Sequence, residues 1–106
     1  MSWDYLIARV WHGTTSKANR SAYLRYLKTT GLKLFSDSKG NVGAFILVRD
    51  SQELTEYIVV SLWESMSAIK RFAGDEADRT VYAPRDSQFL VDLEPTVKHY
   101  EVAAKL

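Results

Sequence analysis

Aromatic and branched residues crowd the stretch from Tyr5 to His12, and the polar run Gly13-Thr14-Thr15-Ser16 follows it. This pattern predicts a strand closed by hydroxyl-bearing residues that can cap a helix. From Lys17 to Thr30 the apolar positions Ala18, Ala22, Tyr23, Tyr26 and Leu27 recur at three- and four-residue steps, and Gly31 stands where a helix end favours a left-handed residue. A first helix is expected there. A short apolar patch at Leu32, Leu34 and Phe35 leads into turn residues from Ser36 to Asn41. Ala44–Arg49 and Tyr57–Trp63 then read as two strands flanking Asp50-Ser51-Gln52-Glu53, the spacing of an antiparallel hairpin. Ser65 can cap a second helix that buries Ala68, Ile69, Phe72 and Ala73 and ends at Gly74; Asp75, with Asp78, can cap one further short turn. Pro84 stops that turn. An irregular stretch from Arg85 to Glu94 carries Phe89 and Leu90, and after Pro95 a last strand is expected over Thr96–Val102.

The order is βαββαβ, the α+β arrangement of ferredoxin-like folds with an antiparallel sheet. With 106 residues there is room for one core, so residues 1–106 are expected to form a single domain. The second and third strands are apolar on both faces: Phe45 and Leu47 alternate with Ala44, Ile46 and Val48, and Ile58, Val60 and Leu62 alternate with Tyr57, Val59 and Trp63. Two helices cover one side of a four-stranded sheet, which leaves an apolar side without cover. A homodimer packed through its sheet faces would supply that cover. The alternative is a Phe89-Leu90 loop folded back over the sheet.

Composition narrows the partners. Apolar residues make up 46% and charged residues 25%, a globular balance, and the net charge of +1 carries none of the basic footprint that nucleic acid requires. The lack of cysteine removes disulfides and thiolate chemistry, and suits a reducing, cytoplasmic setting. The opening MSWDYLIARVWHG has Asp4 and Arg9 inside its apolar run, which is unlike a signal peptide, and no apolar stretch nears the ~20 residues of a membrane span.

His12 and His99 are the only histidines and the natural general bases near neutral pH. They lack the spacing and companion ligands of a metal site, so no metal is expected. Trp63, just before the Ser65 cap, can face the space between sheet and helices. Phe72, Tyr82 and Phe89 can join it in lining an apolar pocket suited to a flat organic ligand. Trp11 points away from His12, on the other face of its strand. Arg9, inside an apolar strand, must find a partner or reach solvent at the dimer seam, and a salt bridge is the expected solution. Arg85 and Asp86 read as loop charges, with Arg85 able to meet an anionic substrate at the pocket mouth.

Three segments carry a wider likeness: Ala8-Arg9-Val10-Trp11-His12-Gly13, then Ser61-Leu62-Trp63-Glu64-Ser65 with Ala68-Ile69 and Phe72-Ala73-Gly74, and the tail from Glu94 to Val102. Together they resemble antibiotic-biosynthesis monooxygenase domains, in which a tryptophan closing the third strand is the landmark that Trp63 occupies. The resemblance implies a dimeric α+β barrel with a ligand pocket in each subunit. It also implies one of two chemistries, cofactor-free oxygenation of aromatic polyketide-like substrates or oxidative degradation of haem. Haem-degrading members pair the tryptophan with an asparagine in strand one and a histidine in the second-helix region, where this chain has Ala8 and Ala73. Quinol-oxidising members use an asparagine and a tyrosine near the tryptophan, and the position six residues after Trp63 is Ile69. The resulting expectation is a cofactor-independent monooxygenase for a small aromatic or enolisable substrate. In it His12 or His99 is the base, Trp63, Phe72 and Tyr82 hold the ring, and Arg9 lies at the substrate. A non-catalytic dimer that binds a small hydrophobic molecule or serves a stress-related role is the alternative, with haem binding a minor one.

Overall fold

The computed structural model describes residues 6–106, so Tyr5 of the expected first strand lies outside the described residues. Four strands form one antiparallel sheet: β1 (Ile7–Ser16), β2 (Asn41–Asp50), β3 (Leu54–Trp63) and β4 (Lys98–Glu101). Their spatial order is β2-β3-β1-β4. The α+β ferredoxin-like order is therefore present, with β1 and β3 central and β4 at an edge. β1 runs four residues past His12, because Gly13 to Ser16 pair with Tyr57 to Leu54 instead of turning away.

β4 covers only part of β1, from Ile7 to Val10. Beyond it the edge is taken over by the segment after the last helix, where Leu90 bridges to Thr15 and the Val91 amide donates to the Thr14 carbonyl. That relay satisfies backbone groups that would otherwise be left open.

The first helical region continues past its expected stop. A short turn at Lys17–Asn19 leads into α1 (Arg20–Tyr26), a wide turn over Leu27–Gly31, and α2 (Leu32–Ser36). Gly31 does not cap this helix, since its φ of −64° is right-handed. Leu27 is buried and Phe35 packs beside it, so both ends of the wide turn are anchored in the core. Ala18 and Ala22 are exposed, whereas Tyr23 and Leu27 form the buried stripe.

α3 (Met66–Ala73) follows the expected chemistry closely: the Ser65 hydroxyl accepts from the Ala68 amide at 3.1 Å, and Gly74 ends the helix at a φ of 93°. Asp75 caps no helix; a helical turn forms later, as α4 (Asp86–Phe89), inside the stretch expected to be irregular. Gly40 enters β2 at a φ of 92°, and any side chain there would collide with the Cβ of Ala68, so α3 sits directly on that turn.

All helices lie on one face of the sheet. Alternation sends Arg9, Trp11, Thr15, Tyr57, Val59, Ser61 and Trp63 toward them, and these are mostly buried. Each large apolar side chain fully buried here contributes about 1.5–3 kcal/mol. Phe89 and Leu90 join this side, packing on Tyr23 and its neighbours, and do not fold over the opposite face. That opposite face keeps Phe45, Leu47 and Tyr100 about half exposed. Among the described residues no helix is long and apolar enough to cross a membrane.

Candidate functional site

Between sheet and helices lies an open cleft. Its walls are mainly apolar, and they include Trp11, Leu27, Phe35, Ile46, Val59 and Phe72. Polar side chains face it from different elements: Arg9 of β1, Ser61 of β3 and Asp86 at the start of α4, with the tyrosines Tyr23 and Tyr26 of α1. An apolar chamber with a few fixed polar groups is the usual form of a small-molecule site.

Arg9 is 4% exposed. Its Nη1 donates to the Ala77 carbonyl at 2.5 Å and to His99 Nε2 at 2.9 Å, and its Nη2 donates to the Arg79 carbonyl at 2.6 Å. The guanidinium also lies over the Phe72 ring, 5.7 Å from its centre. The expected salt bridge is not formed: among the described residues no carboxylate is within ion-pair reach of Arg9. Arg9 faces the helices, away from the uncovered sheet face, because its side of β1 is the side that α3 and the 77–79 segment cover. Burial lowers its pKa to about 10, opposed by attraction to Asp78.

His99 stands opposite Arg9 in the β1–β4 register. Since Arg9 can only donate, His99 Nε2 accepts, and the ring proton sits on Nδ1, which donates to Asp78 Oδ1 at 2.9 Å. Desolvation holds the His99 pKa below its ordinary value, outweighing the hydrogen bond to Asp78. His99 is thus a neutral ring behind Arg9 and does not line the cleft.

His12 is on the opposite face of the sheet. Its Nδ1 donates to Glu94 at 2.6 Å and its Nε2 to Glu56 at 2.8 Å, and Glu56 also pairs with Arg49 at 2.9 Å. Two carboxylates on one ring favour the imidazolium, so the His12 pKa is raised, chiefly by the Glu94 hydrogen bond. Neither histidine offers a free ring nitrogen to the cleft, as proton abstraction or axial ligation of haem iron would need. Among the described residues no three His, Cys, Asp or Glu side chains converge as a metal site.

The tryptophan and tyrosine named from sequence sit behind the wall. Trp63 is fully buried, 5.1 Å from Phe72 between ring centres, and its indole N–H donates to Ser61 Oγ at 2.8 Å. It therefore touches the cleft through Ser61 and Phe72. Tyr82 donates to the Glu94 carbonyl at 2.5 Å and is also outside the lining. Of the expected ligand-binding residues, Arg9 and Phe72 are in the wall itself.

Asp86 was expected as a loop charge and is buried, 6% exposed. Its Oδ1 accepts from the Tyr23 hydroxyl at 2.9 Å and its Oδ2 from the Ala83 amide at 2.5 Å. Desolvation raises its pKa despite these bonds, and the same burial drives the Tyr23 hydroxyl upward. A carboxylate more basic than usual, facing an apolar chamber, can take a proton from a bound molecule. Its one sequence signal is position: an acidic residue three before Phe89, at the start of a short apolar helical turn. Arg85 stacks over Tyr26 and Phe89 at 5.7 and 5.5 Å, beside the lining residue Tyr26.

No family model and no curated protein matches this chain. Solved structures do match in fold. A Caulobacter crescentus protein bearing the provisional name antibiotic biosynthesis monooxygenase superposes with a TM-score of 0.67 at 14% identity, over 93% of this chain and 91% of that one. A Bacillus cereus protein with the same provisional name gives 0.59 at 18% identity, over 91% and 89%. A Nitrosomonas europaea protein of unknown function gives 0.61 at 16% identity, over 97% and 96%. The chain shares the α+β fold of these proteins.

The two histidines should titrate on opposite sides of the ordinary value near 6.5. In proton NMR, His12 is expected above it and His99 below it, with His12→Gln and His99→Gln each removing one curve. The His12 contacts add stability that is complete below pH ~6.5 and lost as pH rises through the raised folded pKa. The neutral His99 does the reverse, losing its contribution as pH falls below ~6.5. Two coincident curves near 6.5 would contradict these placements.

Proposed function

We propose that the chain is a cofactor-independent monooxygenase that holds a flat, enolisable aromatic substrate in the cleft and uses Asp86 as its base. The observation that carries this reading is a buried carboxylate with raised proton affinity, fixed by Tyr23 and Ala83, in the wall of an aromatic chamber. The names carried by the Caulobacter and Bacillus neighbours point to the same class of reaction. Asp86 takes the role that the sequence suggested for a histidine, because both histidines have their ring nitrogens committed elsewhere.

In this mechanism Asp86 removes a proton from an activated CH2 group. The carbanion passes an electron to O2, and recombination forms a carbon–oxygen bond and a peroxide anion. Asp86 returns the proton to the peroxide, which loses water and leaves a carbonyl, so CH2 and O2 become C=O and H2O. The apolar walls keep water from quenching the anion.

The uncovered sheet face belongs to the same proposal. Phe45 and Leu47 are about half exposed on a face with no helix over it, and a second copy packed there makes the homodimer. Small-molecule binding without turnover is the reading left if oxygen chemistry is absent.

Oxygen uptake with a panel of anthrones tests the reaction. Asp86→Asn is expected to lower the rate by roughly 100-fold or more, with the fold intact by circular dichroism, while His12→Ala leaves it unchanged. An undiminished rate in Asp86→Asn rules out the assigned base. For the dimer, light scattering at micromolar concentration should give twice the chain mass, and the double change Phe45→Glu, Leu47→Glu should halve it. A monomeric parent protein removes that part of the proposal.

A further inference from the structure

The cleft has two polar poles. The segment from Ala77 to Asp86 runs along it: Ala77 and Arg79 give their carbonyls to Arg9, Val81 and Ala83 line the middle, and Asp86 closes the far end with Tyr23. The partners of Arg9 and those of Asp86 are separate sets, so the cation and the carboxylate do not neutralise one another. Arg9 packs with Phe72 beside the Trp63 cluster, and Asp86 belongs with the Tyr23 cluster.

Arg9 is also incompletely paired. A guanidinium has five N–H donors, and three are engaged by the two carbonyls and His99. All three acceptors are neutral groups. Asp78 attracts the cation from a distance, but its carboxylate is spent on His99 Nδ1 and stands largely in solvent. A buried cation with neutral acceptors, two spare donors and an aromatic face against it is a site prepared for an anion.

We infer that the substrate is an aromatic acid, with a permanent anionic group, a carboxylate or its equivalent, set on Arg9 and the reactive carbon at the Asp86 end. The inference rests on the proposed function for the reactive end and on Arg9 alone for the acid. Ser61, the partner of Arg9 across the β1–β3 register, fixes this part of the wall, its Oγ accepting from the Trp63 indole at 2.8 Å and donating to the Arg9 carbonyl at 3.5 Å. Phe72 stacks on the guanidinium, keeping its plane in place while the ligand ring fills the apolar middle. A neutral ring would leave the spare Arg9 donors without an anion to meet, which is the loss that makes such sites selective.

Isothermal titration calorimetry with 2-naphthoate and its neutral isostere 2-naphthamide tests this on the full chain. The carboxylate is expected to bind the parent protein at least tenfold more tightly than the amide, with Arg9→Met abolishing the preference and Arg9→Lys keeping part of it. Equal binding of the two by the parent, no binding of either at millimolar concentration, or a preference that survives Arg9→Met overturns the inference. If Arg9→Met does not fold, the parent comparison decides alone. Asp86→Asn separates the two proposals, because it should keep the carboxylate preference while losing oxygen uptake. A preference without any oxygen uptake sinks the reaction and leaves the acid site standing; uptake with no preference does the opposite.

Discussion

The structure turns on the burial of one guanidinium. Arg9 lies on a central strand, inside the layer between sheet and helices, where an unsupported charge would cost several kcal/mol. Its position is held by two carbonyls of the 77–79 segment, by His99 on the neighbouring strand and by the face of Phe72 on α3. Each of these contacts ties a different element to β1. They fix where the chain returns after α3, how β4 docks at the edge, and which end of the cleft is positive.

The two faces of the sheet then do different work. Toward the helices, Tyr57, Val59 and Trp63 build the core, and the cleft opens where aromatic walls do not quite close. Away from them, His12 ties Glu56 to Glu94 and so links β1, β3 and the segment before β4. That ion cluster is partly solvated and holds the surface together, while the apolar residues around it remain open to a partner. The helix-bearing face holds the apolar cleft with Arg9 and Asp86 in its wall.

Much of the fold was legible because local chemistry and tertiary structure agree. The hairpin of β2 and β3 follows from its turn residues, and α3 begins and ends at Ser65 and Gly74 through the caps that the residue types predict. Gly31 misled because a glycine accepts right-handed helix at a cost of about 1 kcal/mol, and the packing of Leu27 and Phe35 outweighs that cost. The position of Asp86 at the head of a helical turn was legible, but its burial was not. Its burial depends on Tyr23, 63 residues earlier, and nothing in the sequence near Pro84 signals that contact. Likewise the partners of Arg9 come from 68 to 90 residues away, so sequence alone showed the need for a partner and not its identity.

The central claim is that ligand chemistry belongs to the cleft between sheet and helices. An amide NMR titration of the full chain with 2-naphthoate tests it most directly. The account predicts that shift changes gather at Arg9, Ser61, Phe72, Val81 and Ala83. Changes confined to the uncovered face, at His12, Ile58 and Val60, would contradict it.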